Sequence, residues 1–182
     1  MLKIDQGKYR AKLAGKNSPA YNAWTNIQTR IAAKGDRNIT YEGCELSDEF
    51  KSFQVFAEWF YTNYKEGYHL DKDILVKGNR IYGPGTCTFV PPSLNMILTD
   101  HRAKRGPLPQ GVTRKTGAGK PYSAALNIKG SRKHLGVFDT PEEAFEEYKK
   151  AKERYVRTSA LEHFTEGEIN EKTLQALLSG EL

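Results

Sequence analysis

Apolar residues recur with helical spacing in the first part of the chain, which predicts two helices there. Ser18 and Pro19 are typical of a helix start, and the pattern after them continues to a stop at Gly35. A second helix is predicted from Ser47 or Asp48. Its apolar stripe, which we assign to the core, consists of Phe50, Phe53, Phe56, Trp59 and Phe60. Residues 68–75 then predict a strand, and a third helix is predicted to open at Ser93.

The later part of the chain alternates polar and apolar positions, which is typical of β-strands. Strands are predicted at residues 111–116, 121–130 and 132–139, with a turn at Gly130 and Ser131. Thr140 and Pro141 begin a long predicted helix. Its expected inward positions are Ala144, Tyr148, Ala151 and Tyr155. A final short helix is predicted at about residues 168–178.

These elements predict an α+β chain of two domains. Residues 103–111 read AKRGPLPQG, and their prolines and glycines indicate a linker. We therefore expect a mainly helical domain at 1–104, a linker at 105–110 and a domain at 111–165. The second domain is expected to be a three-stranded antiparallel sheet packed on one helix, followed by the short helix within 166–182.

Charge is distributed unevenly along the chain, whose formal net charge is +6. Residues 106–140 contain 6 Lys and Arg against 1 acidic residue, whereas residues 141–182 contain 6 against 10. A basic surface that is confined to one region favours a polyanionic partner. The sequence contains no apolar run of membrane-spanning length and no signal-peptide core, so we expect a cytoplasmic protein without a membrane partner.

Polar side chains on the second face of the predicted sheet are suited to DNA. With one face on the helix, the other is expected to present Arg114 or Lys115, Ser123, Asn127, Lys129, Arg132 and His134. Such groups bind phosphates and base edges, and a small sheet can enter the major groove. The alternative is an ordinary solvated face, as many antiparallel sheets have.

Residues 111–153 resemble the ethylene-response-factor (APETALA-type) DNA-binding domain. The resemblance rests on the opening GV, an aromatic residue at the start of the second strand, and LGVFDTPEEAFEEY. It implies major-groove binding to double-stranded DNA through the sheet. By position, the family's DNA contacts fall on Lys115, Asn127, Arg132 and His134. Thr113 and Ala125 depart from the longer side chains common there.

Residues 70–98, which begin LDKDILVKGN, resemble a phage-type HNH homing endonuclease domain. The resemblance implies a ββα-metal hairpin and helix that hydrolyse DNA phosphodiesters with one Mg²⁺ or Mn²⁺ ion and no small-molecule cofactor. Asp71 and Asn95 fall at metal-binding positions. Lys72 stands where the catalytic histidine is expected, and a lysine of ordinary pKa is a poor base at neutral pH. His69, two residues before Asp71, is the candidate replacement base. The expected enzyme is a metal-dependent endonuclease of phage or mobile-element type.

Three alternatives remain open at the level of sequence. Because of Lys72, the protein is alternatively an inactive, regulatory DNA-binding protein. The acidic C-terminal helices also offer a surface for a protein partner, as in a phage inhibitor. Zinc binding by Cys44, Cys87, His69 and His101 is a weak alternative, since no C-x-x-C pair is present.

Overall fold

The computed structural model describes residues 2, 4–33, 41–99, 106–117 and 119–179. These residues form six helices and nine short strands in four small sheets. The predicted mixture of helices and antiparallel sheets is therefore confirmed. The chain divides into two compact units, Met1–Val90 and Pro91–Leu182. This division differs from the linker predicted at 105–110, because the helix that follows Val90 packs against the long C-terminal helix.

The described part of the first unit consists of three helices and six strands. The helices are α1 (Pro19–Ala32), α2 (Asp48–Lys51) and α3 (Phe53–Asn63). The strands are β1 (Lys12–Leu13), β2 (Lys16–Asn17), β3 (Glu45–Leu46), β4 (His69–Asp71), β5 (Ile81–Tyr82) and β6 (Thr88–Val90). The pairs β1–β2 and β4–β6 are antiparallel, and the pair β3–β5 is parallel. Strands of two residues cannot be predicted from alternation, which needs about four residues.

The core of the first unit is aromatic, as the stripe in the sequence predicts. Trp24, Phe50, Phe53 and Phe56 are fully buried, and the Trp24 indole N–H donates to the Phe50 carbonyl over 2.8 Å. Burial of each such ring stabilises the fold by about 1.5–3 kcal/mol. The Trp59 ring stacks on Phe89 at 5.4 Å between centroids, which ties α3 to β6. The strands that carry the HNH-like segment thus rest on this core.

One predicted helix is two helices in the structure, with the break at Ser52. Ser52 is extended (φ −82, ψ 123), and its hydroxyl accepts a hydrogen bond from the Val55 N–H. The same hydroxyl donates to the Asp5 carboxylate over 2.5 Å. Ser47 caps α2 in the same way, through the Phe50 N–H. The break is favoured because each cap satisfies a backbone donor at a helix start.

The second unit is a three-stranded sheet with helices packed on it. The strands are β7 (Val112–Arg114), β8 (Tyr122–Ile128) and β9 (Ser131–Phe138), in the antiparallel order β7–β8–β9. The helices are α4 (Pro92–Leu98), α5 (Pro141–Thr165) and α6 (Glu171–Ser179). The Thr140 hydroxyl accepts from the Glu143 N–H, which confirms the predicted cap of α5.

Helix α5 buries a slightly different face from the predicted one. Ala144 and Tyr148 are buried as expected, but the stripe continues through Lys152 and Val156. Ala151 and Tyr155, which the sequence places inward, are half-buried. Because these positions are four residues apart, they stay on one side of the helix along the length of the sheet. A lysine can occupy one of them because the long stem of its side chain is apolar.

The start of β7 lies directly against α5 at Gly111. Gly111 has φ +77, a conformation that favours glycine, and a Cβ there would overlap the buried Tyr148 ring. The glycine therefore allows the strand and the helix to approach closely. In this chain, close packing against Tyr148 therefore explains the glycine of the GV opening.

The turn between β8 and β9 lies one residue earlier than predicted. Ile128 pairs with Ser131, so the turn residues are Lys129 and Gly130 rather than Gly130 and Ser131. Both have positive φ, +47 and +80, which is the type I′ pattern of two-residue hairpins. Lys129 therefore lies at the tip of the hairpin and not on the face of the sheet. A lysine in this conformation is strained, whereas asparagine adopts it readily.

Replacing Lys129 by asparagine should raise the free energy of unfolding by about 0.5–1 kcal/mol, because it relieves this backbone strain. Urea unfolding measures the change. Ala14 has φ +47 in the β1–β2 turn, so Ala14→Asn is the matched variant in the other unit and should be stabilising too. A loss of stability in both variants would contradict the assignment of these turns.

Candidate nucleic-acid interface

The sheet face that α5 leaves uncovered brings together three of the predicted DNA-binding residues. In the register of β8 and β9, Asn127 lies opposite Arg132 and Ala125 lies opposite His134. Cross-strand partners share one face of an antiparallel sheet. Asn127, Arg132 and His134 are all exposed. We call this face, with Thr113, Ser123, Ala125 and Val137, the open face.

A β-bulge in β9 changes which residues reach the open face. Ala124 pairs with Gly136 and Ala125 with His134, so Leu135 is an extra residue without a partner. The extra residue reverses the alternation beyond it. Strict alternation along residues 132–139 predicts that Val137 shares a face with Leu135 and Lys133, and the bulge makes this expectation wrong. Val137 lies opposite Ser123 on the open face and is 37% exposed.

The prediction of Arg114 or Lys115 on the open face is resolved by the register of β7. Thr113 pairs with Ser123 on the open face, whereas Arg114 pairs with Tyr122 and belongs to the opposite face. Arg114 is exposed at the strand end, but it does not join the other predicted residues. Lys115 follows with its backbone N–H bonded to the Pro121 carbonyl over 2.8 Å. Lys115 lies two residues after Thr113, so strand alternation places it on the side of the open face.

Small residues form the floor of the open face. Ser123 is 7% exposed, and its hydroxyl lies 3.3 Å from Nδ1 of His134. The Ser123 hydroxyl, which the sequence places among the DNA contacts, is therefore buried beside the imidazole of His134. Ala125 is 8% exposed beside it. A low floor with long side chains at its edge allows the backbone of the sheet to approach a partner closely.

The open face belongs to strands without acidic residues. β7, β8 and β9 contain no Asp or Glu, whereas they contain Arg114, Arg132 and Lys133, with Lys129 at the hairpin tip. The acidic residue that follows β9, Asp139, pairs with Lys120 at 2.7 Å and is thereby neutralised. Of these cations, Arg132 lies on the open face, and the three strands contain no acidic side chain to compensate its charge.

In the segment that begins LDKDILVKGN, the carboxylate of Asp71 caps a turn. β4 ends at Asp71, and one oxygen of that carboxylate accepts backbone N–H bonds from Asp73 at 2.7 Å and Ile74 at 2.8 Å. Burial raises the pKa of Asp71, and these two hydrogen bonds oppose the rise. His69 lies two residues earlier and is exposed. On β4, His69 and Asp71 point to the same side.

Lys72 is a buried structural cation. It is 7% exposed, and its ammonium donates to the Asp73 carboxylate at 2.6 Å and to the Asn79 carbonyl at 2.7 Å. The Asn79 side-chain amide returns a bond to the Lys72 carbonyl at 2.9 Å. Alternation along the predicted strand 68–75 would place Asp73 with His69 and Asp71, away from Lys72, but β4 ends at Asp71 and this expectation is wrong. The chain bends after Asp71, and Lys72 and Asp73 form an ion pair instead.

The remaining predicted ligands lie apart in the chain. Asn95 is a half-buried residue of α4 in the second unit, and its carbonyl accepts from the Thr99 N–H at 3.1 Å. Cys44 and Cys87 are buried in the first unit, where burial raises the pKa of the Cys87 thiol to about 12. His101, the fourth residue of the zinc alternative, lies outside the described residues.

A cluster of possible metal ligands, which the sequence did not indicate, lies at the end of α5. Within the described ranges, His163, Glu166 and Glu168 bring their ligand atoms within 4.8 Å of one another. His163 Nδ1 is 2.5 Å from the Glu168 carboxylate, and its Nε2 is 3.4 Å from the Ser93 hydroxyl. These contacts also hold the C-terminal end of α5 to Glu168 and Ser93. The turn at Gly167, where φ is +69, brings these residues together, and the sequence signal for it is the glycine after the long helical pattern.

Comparison of the chain with protein-family models, with curated proteins and with solved structures gives no match. Among the helices in the described ranges, none has the length and apolar character needed to cross a membrane. The functional argument therefore depends on the residues of the open face and of the segment around Asp71.

Proposed function

We propose that this protein binds double-stranded DNA through the open face of the sheet β7–β8–β9. The observation that carries the proposal is the row of Asn127, Arg132 and His134 above a floor of small residues, on strands without acidic side chains. The likeness of residues 111–153 to the ethylene-response-factor domain supports the same partner.

The chemistry of these side chains suits both parts of a DNA site. Arginine binds the O6 and N7 atoms of guanine with two hydrogen bonds, and asparagine binds adenine in the same way. Asn127 and Arg132 are cross-strand partners, so both reach the same groove. Lys129 at the hairpin tip is suited to a phosphate, which positions the sheet without reading sequence.

Arg132 and Lys133 provide a matched pair of variants for this proposal. Both are exposed, but Lys133 pairs with Leu126 and so lies on the face opposite to Arg132. Arg132→Ala is expected to weaken duplex binding by about 1–3 kcal/mol and to relax the sequence preference at the base pair that it contacts. Lys133→Ala should change the affinity little. Equal losses in fluorescence anisotropy titrations would contradict a specific role of the open face.

Phosphodiester hydrolysis is a second candidate function, supported by one structural arrangement. β4 and β6 form an antiparallel pair, α4 follows directly in the chain, and Asp71 ends β4. The hydrogen bonds of Asp71 to described residues involve one carboxylate oxygen, so the other oxygen fits a hard cation. Asp71 is the residue of the first unit that would hold Mg²⁺ or Mn²⁺, and Asn95, the other ligand that the sequence predicts, belongs to the second unit. A bound ion would neutralise charge on the departing oxygen.

The ion pair of the buried Lys72 favours DNA binding over hydrolysis as the function. Lys72 holds Asp73 and Asn79, so it does not serve as a base, and His69 is the residue left for that role. We therefore give DNA binding first place and hydrolysis second. In the hydrolytic case His69→Ala should lower the rate by about 10²–10⁴-fold.

Incubation with supercoiled plasmid and Mg²⁺ or Mn²⁺ tests hydrolysis. Asp71→Asn is the sharpest variant, because its amide oxygen can still accept the two backbone N–H bonds while the charge is lost. We expect any nicking to fall by at least about 100-fold in Asp71→Asn, with an unchanged unfolding curve. Nicking that survives this change would show that Asp71 holds no catalytic ion. If the wild-type protein does not nick the plasmid, hydrolysis is contradicted and DNA binding stands as the proposal.

A further inference from the structure

A basic hairpin extends from the first unit, outside the surfaces considered so far. It consists of Arg10, the strands β1 and β2, and the turn at Ala14 and Gly15; we call it the basic arm. Its residues 12–17 are all exposed. The Ala11 carbonyl accepts from the Ser18 N–H at 2.7 Å, which fixes the base of the arm. The arm is therefore a defined ribbon and not a loose tail.

The cations of the arm have no acidic partner within the described part of the chain. No ion pair involves Arg10, Lys12 or Lys16 there. The nearby lysines differ, since Lys8 pairs with Glu58 at 3.3 Å and Lys51 pairs with Asp48 at 2.6 Å. In the sequence, residues 6–34 contain six Lys and Arg and no Asp or Glu. The charge of the arm is thus available to an anion.

The register places these cations on both faces of the ribbon. Lys12 pairs with Asn17, and Leu13 pairs with Lys16, so Lys12 and Lys16 occupy neighbouring pairs. Neighbouring pairs of a hairpin point to opposite faces. Arg10 precedes Lys12 by two positions. An anionic surface that touches one side of the arm would satisfy one lysine and leave the other in solvent.

A groove of duplex DNA offers phosphates on both sides of such a ribbon. The major groove is about 12 Å wide and admits a two-stranded β-ribbon. We propose that the basic arm enters a DNA groove, with Lys12 and Lys16 directed to the phosphates of opposite strands. This inference rests on the proposed DNA binding, and it adds a second contact surface, in the first unit. A single strand carries one row of phosphates and cannot satisfy both faces.

The double variant Lys12→Gln/Lys16→Gln tests the arm. Its control is Lys8→Gln/Lys51→Gln, which removes the same charge from lysines with acidic partners in the same unit. Duplex affinity is measured against salt concentration. Each lost phosphate contact should change the slope by about 0.9, so the arm variant should lower it by about 2 and weaken low-salt binding on the order of tenfold. The control should leave the slope within about 0.5 of the wild type.

The outcomes separate this inference from the proposed function. If Arg132→Ala weakens binding while the arm variant behaves as its control, the arm does not bind DNA and the open face does. If the wild-type protein fails to bind duplex at low salt, both proposals fall. On a single strand of the same sequence, the arm variant should lose less affinity than on duplex. An equal loss on both would contradict insertion into a groove.

Discussion

Replacing Gly111 by alanine should lower the free energy of unfolding of the second unit by about 2–5 kcal/mol. One part of the loss is the positive φ of +77, which costs a residue with a Cβ about 1–2 kcal/mol. The other part is overlap with the buried Tyr148 ring. Overpacking of this kind costs about 1–3 kcal/mol, because the strand or the helix must shift.

Gly130 separates the two contributions. Its φ is +80, close to that of Gly111, but a Cβ there meets no atom within 4 Å. Gly130→Ala should therefore lose only the backbone contribution of about 1–2 kcal/mol. Urea unfolding of both variants measures the difference. If the two variants lose the same stability, the close approach of β7 to α5 does not depend on Gly111.

Replacing Lys72 by alanine should lower the free energy of unfolding of the first unit by about 3 kcal/mol. The variant removes buried methylene groups, each worth about 0.8 kcal/mol. It also leaves the Asn79 carbonyl without its 2.7 Å hydrogen bond, at a cost of about 1–3 kcal/mol if water does not replace it. Asp73 is half exposed, so the ion pair itself adds little.

Two milder variants at this position divide the effect. Lys72→Met keeps most of the stem and removes the ammonium, so it should lose less than Lys72→Ala. Asp73→Asn should lose under about 1 kcal/mol, because its partner keeps the bond to Asn79. Thermal and urea unfolding measure the order of the three. A loss of under 0.5 kcal/mol for Lys72→Ala, as for an average surface position, would contradict its role as a buried cation.

Local signals in the sequence were sufficient for several elements. Helix α5 was predicted from Thr140 and Pro141, and the strand β8 from its alternation, because caps and periodicity act over a few residues. The break at Ser52 was not predicted, since a serine inside an apolar stripe gives no sign that Asp5, far away in the chain, will bind it. Non-local partners of this kind are not visible in a pattern.

The candidate site was predicted in part for the same reason. Asn127, Arg132 and His134 lie on one face, and alternation within each strand is enough to place them. Val137 was misplaced because the bulge depends on how β9 pairs with β8. The burial of Lys72 depends on a carbonyl seven residues later, so the sequence motif indicated a replaced catalytic residue where the structure has an ion pair.

Binding of the wild-type protein to double-stranded DNA, measured against salt concentration, tests the central proposal most directly. We predict binding at low salt that weakens linearly in a plot of log affinity against log salt, with a slope of about −0.9 for each phosphate contact. Arg132→Ala should weaken this binding by about 1–3 kcal/mol, and Lys133→Ala should not. Absence of binding at 50 mM salt (a low value on the scale where phosphate contacts dominate, roughly 50–200 mM) would contradict the proposal. The acidic helices would then become the surface to test with protein partners.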